Sequence, residues 1–280
     1  MRFASSLARK FTIILLMILI IPSVVVSAQE NKEYTYYFPL MAKDDPRILV
    51  YLPENYYNTT KNYPVLYMND GELIYGKFKA DFIVVCIQNT DKKIARWNYL
   101  SPWVQYDMPN WWPNSPQELG GDGEDYLTYI LKTKEWIDRD FRTFSNRENT
   151  AIDGFSMGGL FSVYAGLKEP DIFSRVISFS PAVWFGTRNN IYWLTQNNLI
   201  DFVEVTGNPE NIKFFWYVGG NEYHAAGYPI EGGNYPTIYK QGTNKLYSLL
   251  GGKYIYNPLG KHNPTVWLTY FDIAFAWLGW

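Results

Sequence analysis

The chain has 280 residues and a formal net charge of −2, with 47% hydrophobic and 19% charged side chains. This balance excludes an intrinsically disordered chain, and the missing excess of Lys and Arg excludes charge-driven binding to nucleic acid. A single cysteine, Cys86, excludes intramolecular disulfides and multi-cysteine metal sites. Two histidines, His224 and His262, exclude a histidine-rich metal centre and leave two candidates for any chemistry that needs an imidazole.

The amino terminus predicts a secretory signal peptide over residues 1–28. A short basic segment precedes the apolar run FTIILLMILII at 11–21, and small residues at 26–28 have the spacing that a signal peptidase reads. The alternative is an uncleaved anchor, because the apolar stretch to residue 26 approaches the length that spans a bilayer. Cleavage predicts a secreted or periplasmic protein with no remaining membrane segment. Asn58 begins an N-glycosylation sequon, which matters only in a eukaryotic source.

Residues 29–280 are predicted to form a single domain, since no repeat, low-complexity tract or linker divides them. Short runs rich in β-branched and aromatic residues alternate with amphipathic stretches. This alternation is typical of an α/β fold with a mainly parallel central sheet and helices on both faces. Ligands of such sheets bind beyond the carboxyl ends of the strands. The predicted strands are 47–51, 65–68, 82–87, 150–153, 176–179, 214–218 and 254–257, and the predicted helices are 125–138, 158–168, 239–250 and 265–278.

A nucleophile is predicted at Ser156. The strand predicted at 150–153 runs into the segment GFSMGG, and a helix is predicted to follow. G-x-S-x-G between a strand and a helix is the pattern of the sharp turn that exposes a nucleophilic serine in α/β hydrolases. The alternative is an ordinary glycine-rich turn that a serine caps.

The catalytic base and acid are predicted from their order along the chain, which in this fold is serine, acid, histidine. His262 follows the last predicted strand and precedes the last predicted helix, so it is the predicted base. Glu222 follows the strand before it and is the predicted acid; the alternative for Glu222 is a solvated loop carboxylate. His224 comes too early for the base and is assigned to the wall of the site or to the surface.

Two backbone N–H groups are predicted to stabilise the oxyanion that acyl transfer produces. One is the N–H of Met157, directly after the nucleophile. The other belongs to the turn after the strand at 65–68, where Glu72 is preferred and Gly71 is second. An ordinary Asp-Gly turn is the alternative at that position.

Tryptophans are concentrated between the strand at 82–87 and the helix at 125–138. Prolines in this stretch predict a long loop over the carboxyl edge of the sheet. Trp97 and Trp103 from this stretch, with Trp184, are candidate substrate contacts, since indole rings stack on sugars and aromatic acyl groups. The alternative is that the tryptophans form a small core beneath the loop.

Together these segments resemble the putative-esterase branch of the α/β hydrolase superfamily, which includes esterase D, feruloyl and acetylxylan esterases and siderophore esterases. The resemblance implies a nucleophile at Ser156, a base at His262, an acid at Glu222 and an ester substrate. Ester hydrolysis by such a triad is expected to require no metal or cofactor. Phe155 departs from the pattern, where a smaller residue is common, and its bulk is expected to narrow the pocket. The segments that carry the likeness are PVLYMNDGE at 64–72, FIVVCIQN at 82–89, RWNYLSPW at 96–103, GGDGEDYLTYI at 120–130, WIDRDFRT at 136–143, RENTAIDGFSMGGLFS at 147–162, PDIFSRVISFSPAVWF at 170–185 and HNPTVW at 262–267.

The functional hypothesis is a secreted serine esterase that hydrolyses a carbohydrate-linked or siderophore-type ester. An acyltransferase with the same triad is a close alternative, because only the group that accepts the acyl chain differs. A non-catalytic module that binds a carbohydrate or a partner on a hydrolase scaffold is the alternative from another class. The sequence does not select an oligomeric state.

Overall fold

The computed structural model describes residues 25–26, 34–36, 47–73, 79–88, 93–106, 118–186, 198–222 and 235–280. Within these ranges a nine-stranded sheet has helices on both faces, which is the α/β-hydrolase architecture expected from the sequence. The strands are β1 Val25–Val26, β2 Tyr34–Tyr36, β3 Arg47–Tyr51, β4 Val65–Asn69, β5 Ile83–Gln88, β6 Val104–Tyr106, β7 Glu118–Gly120, β8 Thr150–Phe155, β9 Arg175–Phe179, β10 Lys213–Gly219 and β11 Lys253–Asn257. The helices are α1 Lys93–Tyr99, α2 Gly123–Asp140, α3 Met157–Lys168, α4 Asn198–Thr206, α5 Tyr235–Leu250, α6 Pro264–Leu268 and α7 Phe271–Leu278.

The large sheet has the strand order β1-β2-β3-β5-β4-β8-β9-β10-β11. β3 pairs antiparallel with β5, whereas every pair from β5 to β11 is parallel. All residues of β4 and β8 are buried, as expected for strands covered on both faces. The carboxyl ends of β4, β8, β9, β10 and β11 therefore meet at one edge of the sheet, where the predicted site residues follow them.

Two apolar cores lie on opposite faces of the sheet. One contains buried side chains of α2 to α5, such as Ile130, Phe161 and Leu246. The other contains Phe271 and Leu278 of α7, packed under the sheet. Burial of apolar surface on both faces stabilises the layered arrangement.

Two predictions of local structure were wrong. The helix predicted at 265–278 is two helices: the N–H groups of Thr269 and Tyr270 donate to the carbonyls three residues earlier, Val266 (3.1 Å) and Trp267 (2.9 Å), which is the pattern of a 3₁₀ turn between them. The tryptophan-containing stretch is not one long loop: α1 precedes Pro102, and β6 pairs antiparallel with β7 in a separate two-stranded sheet. α1 forms in a part of the stretch that contains no proline, whereas residues 107–117, which contain Pro109, Pro113 and Pro116, lie outside the described residues.

Some predictions fall on residues outside the described ranges. The predicted signal segment lies there except for β1, so its cleavage after residue 28 stays a prediction, and His224 also lies there. None of the helices in the described ranges is long and apolar enough to cross a membrane. Asn58 of the sequon is exposed in a single 3₁₀ turn.

Candidate active site

Ser156 occupies the turn between β8 and α3 in a strained backbone conformation, with φ 54° and ψ −114°. Non-glycine residues rarely adopt such angles, and they persist where the surrounding structure imposes them. A Cβ at Gly154 would come within 2.4 Å of the backbone of Gly158, so the strand and the helix approach too closely for a side chain. This contact explains Gly154, whereas a Cβ at Gly158 would lie 3.0 Å from Asp70 Oδ2 and 3.1 Å from Asn69 Cβ. Ser156 lies at the amino end of α3, the positive end of its dipole.

The segment after β9 joins the serine turn to the neighbouring strand. The N–H of Ala182 donates to the carbonyl of Ser156 (2.9 Å), and the N–H of Ser180 donates to the carbonyl of Tyr217 in β10 (2.7 Å). Ser180 itself has a left-handed backbone, with φ 47°. These bonds fix the position of the predicted nucleophile relative to β10, the strand that leads into the loop with the predicted acid.

Glu222 and His262 contact each other through their side chains. The His262 Nδ1 atom lies 3.0 Å from Glu222 Oε2, with side chains 7% and 0% exposed, respectively. Glu222 Oε1 accepts the hydroxyl of Ser180 (2.5 Å) and the N–H of Gly219 (2.5 Å). The chain-order argument therefore places an acid and an imidazole in contact, and Glu222 is not a solvated loop carboxylate.

The loops after β10 and β11 are bonded to each other, which brings Glu222 and His262 together. The N–H of Asn221 donates to the carbonyl of Gly260 (2.9 Å). A Cβ at Gly219 would lie 2.3 Å from that same carbonyl oxygen, so the close approach requires glycine there. The His262 ring then packs against Tyr239 of α5, with ring centroids 4.4 Å apart.

The turn after β4 lies against the first turn of α3. Asn69 is buried, and its side-chain amide donates to the carbonyl of Asp153 (3.1 Å) and to the hydroxyl of Ser162 (3.0 Å). The hydroxyl of Tyr126 donates to the Asn69 carbonyl oxygen (2.9 Å). This network, which the sequence did not predict, ties β4 to β8, α2 and α3.

Asp70 follows in a left-handed conformation (φ 59°) and receives two hydrogen bonds from Arg96 of α1, at 2.7 and 2.6 Å. Burial alone lowers the pKa of Arg96, but the charge and hydrogen bonds of Asp70 outweigh it, so the guanidinium stays charged. Glu72 comes next, in a 3₁₀ turn at Gly71–Leu73. Its N–H and that of Met157 remain the predicted oxyanion donors, and the Asp70–Arg96 pair holds the turn that carries the first.

The three candidate tryptophans divide into two groups. Trp97 and Trp184 are partly exposed, their ring centroids are 6.0 Å apart, and the indole N–H of Trp184 donates to the hydroxyl of Tyr239 (3.1 Å). Because Tyr239 packs on His262, one side chain separates Trp184 from the predicted base, and two separate Trp97 from it. Trp103 instead packs against Tyr164 and Phe202 of α3 and α4, which fits the alternative of a small core.

Phe155 was expected to narrow the pocket, and this expectation was wrong. Its ring is 1% exposed and stacks between Trp267 (centroids 5.0 Å apart) and Phe271 (5.7 Å). Alternate residues of a strand face opposite sides of the sheet, so Phe155 fills the core beneath α6 and α7.

A buried carboxyl, Asp153, lies in β8 on the same face as Phe155. Neither of its side-chain oxygens has a well-formed hydrogen bond to a described residue, and the nearby N–H of Gly154 offsets only part of the burial cost. Burial raises the pKa of Asp153 well above its usual range, so the group is neutral in the folded protein. Burial, together with the charge of Glu72, also raises the pKa of the Cys86 thiol, which is therefore unreactive.

Asp153→Asn is expected to stabilise the protein at neutral pH and to weaken the dependence of its stability on pH. The unfolded chain loses the Asp153 proton near pH 4, whereas the folded protein keeps it to much higher pH. The free energy of unfolding of the wild type therefore falls as pH rises through this window, by at most about 1.4 kcal/mol per pH unit from this group. Urea unfolding at pH 5, 6, 7 and 8 measures the difference between the two proteins.

The matched control is Asp171→Asn, which removes a carboxylate that is exposed. It should show the slope of the wild type over the same pH range. An Asp153→Asn protein with an unchanged slope would contradict the assignment of Asp153 as the buried neutral carboxyl.

Among the described residues, no group of three or more His, Cys, Asp or Glu side chains could hold a metal ion. The structure thus brings a carboxylate bonded to an imidazole to the same sheet edge at which the serine turn lies. This set can carry out nucleophilic acyl transfer.

Comparison with known proteins identifies an esterase family. A family model described as "Putative esterase" matches residues 41–231. A curated relative, the esterase MT1326 of Mycobacterium tuberculosis, is 26% identical over 165 residues, which are 56% of this chain and 34% of that protein. The chain spans between 34% and 58% of the length of such relatives.

Solved structures share the fold. An IroE-like serine hydrolase from Shewanella oneidensis superposes with a TM-score of 0.64 at 24% identity, over 82% of this chain and 75% of that chain. The enterobactin esterase FES from Shigella flexneri, solved in the presence of 2,3-di-hydroxy-N-benzoyl-serine, gives 0.59 at 15% identity, over 83% and 55%.

Proposed function

This chain belongs to the esterase family of the α/β hydrolases, and on that premise we propose that it is a secreted serine esterase that forms an acyl-enzyme on Ser156. The observation that supports the triad most directly is the 3.0 Å contact between His262 Nδ1 and Glu222 Oε2 at the sheet edge where Ser156 lies. A buried acid that holds one nitrogen of an imidazole leaves the other nitrogen to accept a proton from the serine.

The proposed reaction has two halves. The Ser156 oxygen attacks the ester carbonyl carbon while Nε2 of His262 takes the hydroxyl proton, and the N–H groups of Met157 and Glu72 stabilise the oxyanion. The carbonyl re-forms as the bond to the leaving alcohol breaks, and His262 returns the proton to that alcohol. A water molecule then repeats these steps on the acyl-enzyme, which releases the acid and restores Ser156.

Glu222 has two tasks in this scheme. It orients the His262 ring so that Nε2 faces the nucleophile, and it stabilises the imidazolium that exists while the tetrahedral intermediate is present. Its complete burial strengthens both effects, because the surrounding dielectric is low.

The proposed substrate is a carbohydrate-linked or siderophore-type ester. Two observations support this class: the pair of partly exposed indole rings, Trp97 and Trp184, connected to His262 through Tyr239, and the name of the enterobactin esterase that shares the fold. Indole rings bind planar aromatic groups and the apolar faces of sugars. Export directed by the predicted signal peptide at 1–28 would place the enzyme outside the cytoplasm, where it would meet carbohydrate-linked and siderophore-type esters.

A fluorophosphonate probe on the exported protein, whose sequence should begin at Gln29, tests the proposal. The probe should label the wild type at Ser156, and the label should disappear in Ser156→Ala. Hydrolysis of p-nitrophenyl acetate, butyrate and decanoate, methyl ferulate and acetylated xylan then defines the acyl and alcohol groups. A wild-type protein that takes no label and cleaves none of these esters would contradict the proposal and favour a non-catalytic binding module.

A further inference from the structure

Ser180 lies directly after β9, and its hydroxyl lies between two groups whose roles as hydrogen-bond donor and acceptor are fixed. The indole N–H of Trp267 is 3.0 Å from Ser180 Oγ, and Glu222 Oε1 is 2.5 Å from it. An indole nitrogen can only donate a hydrogen bond, and an ionised carboxylate can only accept one. The Ser180 hydroxyl therefore accepts from Trp267 and directs its own proton at Glu222.

This arrangement determines which oxygen of Glu222 faces the imidazole. Oε1 is already occupied by the Ser180 hydroxyl and the N–H of Gly219, so the carboxylate cannot rotate without breaking two charge-assisted bonds. Oε2 is left to His262 Nδ1. The backbone of Ser180 is itself immobilised, because its N–H is bonded to β10 and Ala182 is bonded to Ser156.

Trp267 contacts the base as well as the serine. Its ring is 3% exposed, meets the His262 ring edge-on with centroids 4.9 Å apart, and stacks on Phe155, the neighbour of the nucleophile. One indole therefore restrains the imidazole by packing and the carboxylate through the Ser180 hydroxyl. The Trp267–Ser180–Glu222 chain connects segments that are 42 and 87 residues apart in sequence.

We propose that Ser180 and Trp267 are positioning residues of the triad, which hold Glu222 in the one orientation that presents Oε2 to His262. This inference rests on the proposed function, since it concerns the same site. Neither side chain is proposed to touch substrate, so their loss should reduce kcat and leave KM almost unchanged.

Ser180→Ala is expected to lower kcat for p-nitrophenyl acetate by about 10- to 100-fold, with KM changed less than about threefold, because a hydrogen bond to a charged group is lost. Ser180→Gly should give the same loss, and glycine adopts the left-handed backbone at no cost, so this variant excludes backbone strain as the cause. Trp267→Phe keeps an aromatic six-membered ring and removes the indole N–H, and it should lower kcat by about threefold to tenfold.

The matched control is Ser178→Ala, two residues earlier in β9. Ser178 is equally buried, but its hydroxyl donates to the carbonyl of Gly159 and not to Glu222. Its removal should reduce the free energy of unfolding and leave kcat within about twofold of the wild type. A large loss of kcat in Ser180→Ala together with an almost unchanged kcat in Ser178→Ala would distinguish positioning of Glu222 from a general effect on packing.

Proton NMR gives a readout that does not depend on turnover. The hydrogen-bonded Nδ1 proton of His262 should resonate far downfield in the wild type, and the resonance should shift or broaden in Ser180→Ala and Ser180→Gly but not in Ser178→Ala. Full kcat and an unshifted resonance in both Ser180 variants would overturn the positioning role while Ser156 still takes the fluorophosphonate label. Failure of the wild type to take the label would instead overturn the proposed function, and the positioning role with it.

Discussion

Ser156→Ala is expected to lower kcat by about 10⁴-fold or more while the protein keeps its fold, because only the nucleophilic oxygen is removed. The backbone N–H of Ser156 donates to Phe179 and its carbonyl accepts from Leu160 and Ala182, and none of these bonds involves the hydroxyl. Alanine at φ 54° carries about the same strain as serine, so the free energy of unfolding should change little. Hydrolysis of p-nitrophenyl acetate measures the loss, and circular dichroism with urea unfolding checks the fold.

The control for this variant is Ser248→Ala, in which the lost hydroxyl is exposed on α5 and bonds only locally to the carbonyl of Lys245. It should keep wild-type kcat when purified in parallel. A Ser156→Ala preparation that retains more than a tenth of the wild-type rate, and that is free of contaminating esterase, would refute the nucleophile assignment.

His262→Ala should reduce the rate nearly as much as Ser156→Ala, and the double variant should lose little more, because nucleophile and base act as a unit. The alanine variant also leaves the buried Glu222 carboxylate without its imidazole partner, which destabilises the protein. His262→Asn separates the two effects: its amide can still donate to Glu222 Oε2 but cannot take a proton from Ser156. This variant should therefore fold like the wild type and remain inactive.

The second histidine provides the comparison. His224→Ala should change KM or have no effect, since the order of groups along the chain assigns the base to His262. An inactive His224→Ala protein beside an active His262→Ala protein would overturn that argument, and the assignment of Glu222 would fall with it.

The main features of the fold follow from local signals in the sequence. Seven predicted strands are present, with ends shifted by no more than two residues, because short runs rich in β-branched and aromatic residues, bounded by turn-forming residues, mark strands. Glu222 and His262 could be placed in contact from their positions after adjacent parallel strands. The carboxyl ends of parallel strands lie at a common edge of the sheet, so the order of these residues along the chain predicts that they lie close together.

The sequence by itself determined the strand–helix alternation, the serine turn and the order of the three candidate catalytic groups. These depend on short-range patterns and on the geometry that parallel strands impose. Only the tertiary structure decided that Phe155 faces the core, that Arg96 holds Asp70, and that Trp267 reaches Glu222 through Ser180. Each of these contacts joins side chains from distant segments, and its geometry depends on how whole elements pack. A pattern within one segment contains no information on which side chain of another segment will lie 3 Å away.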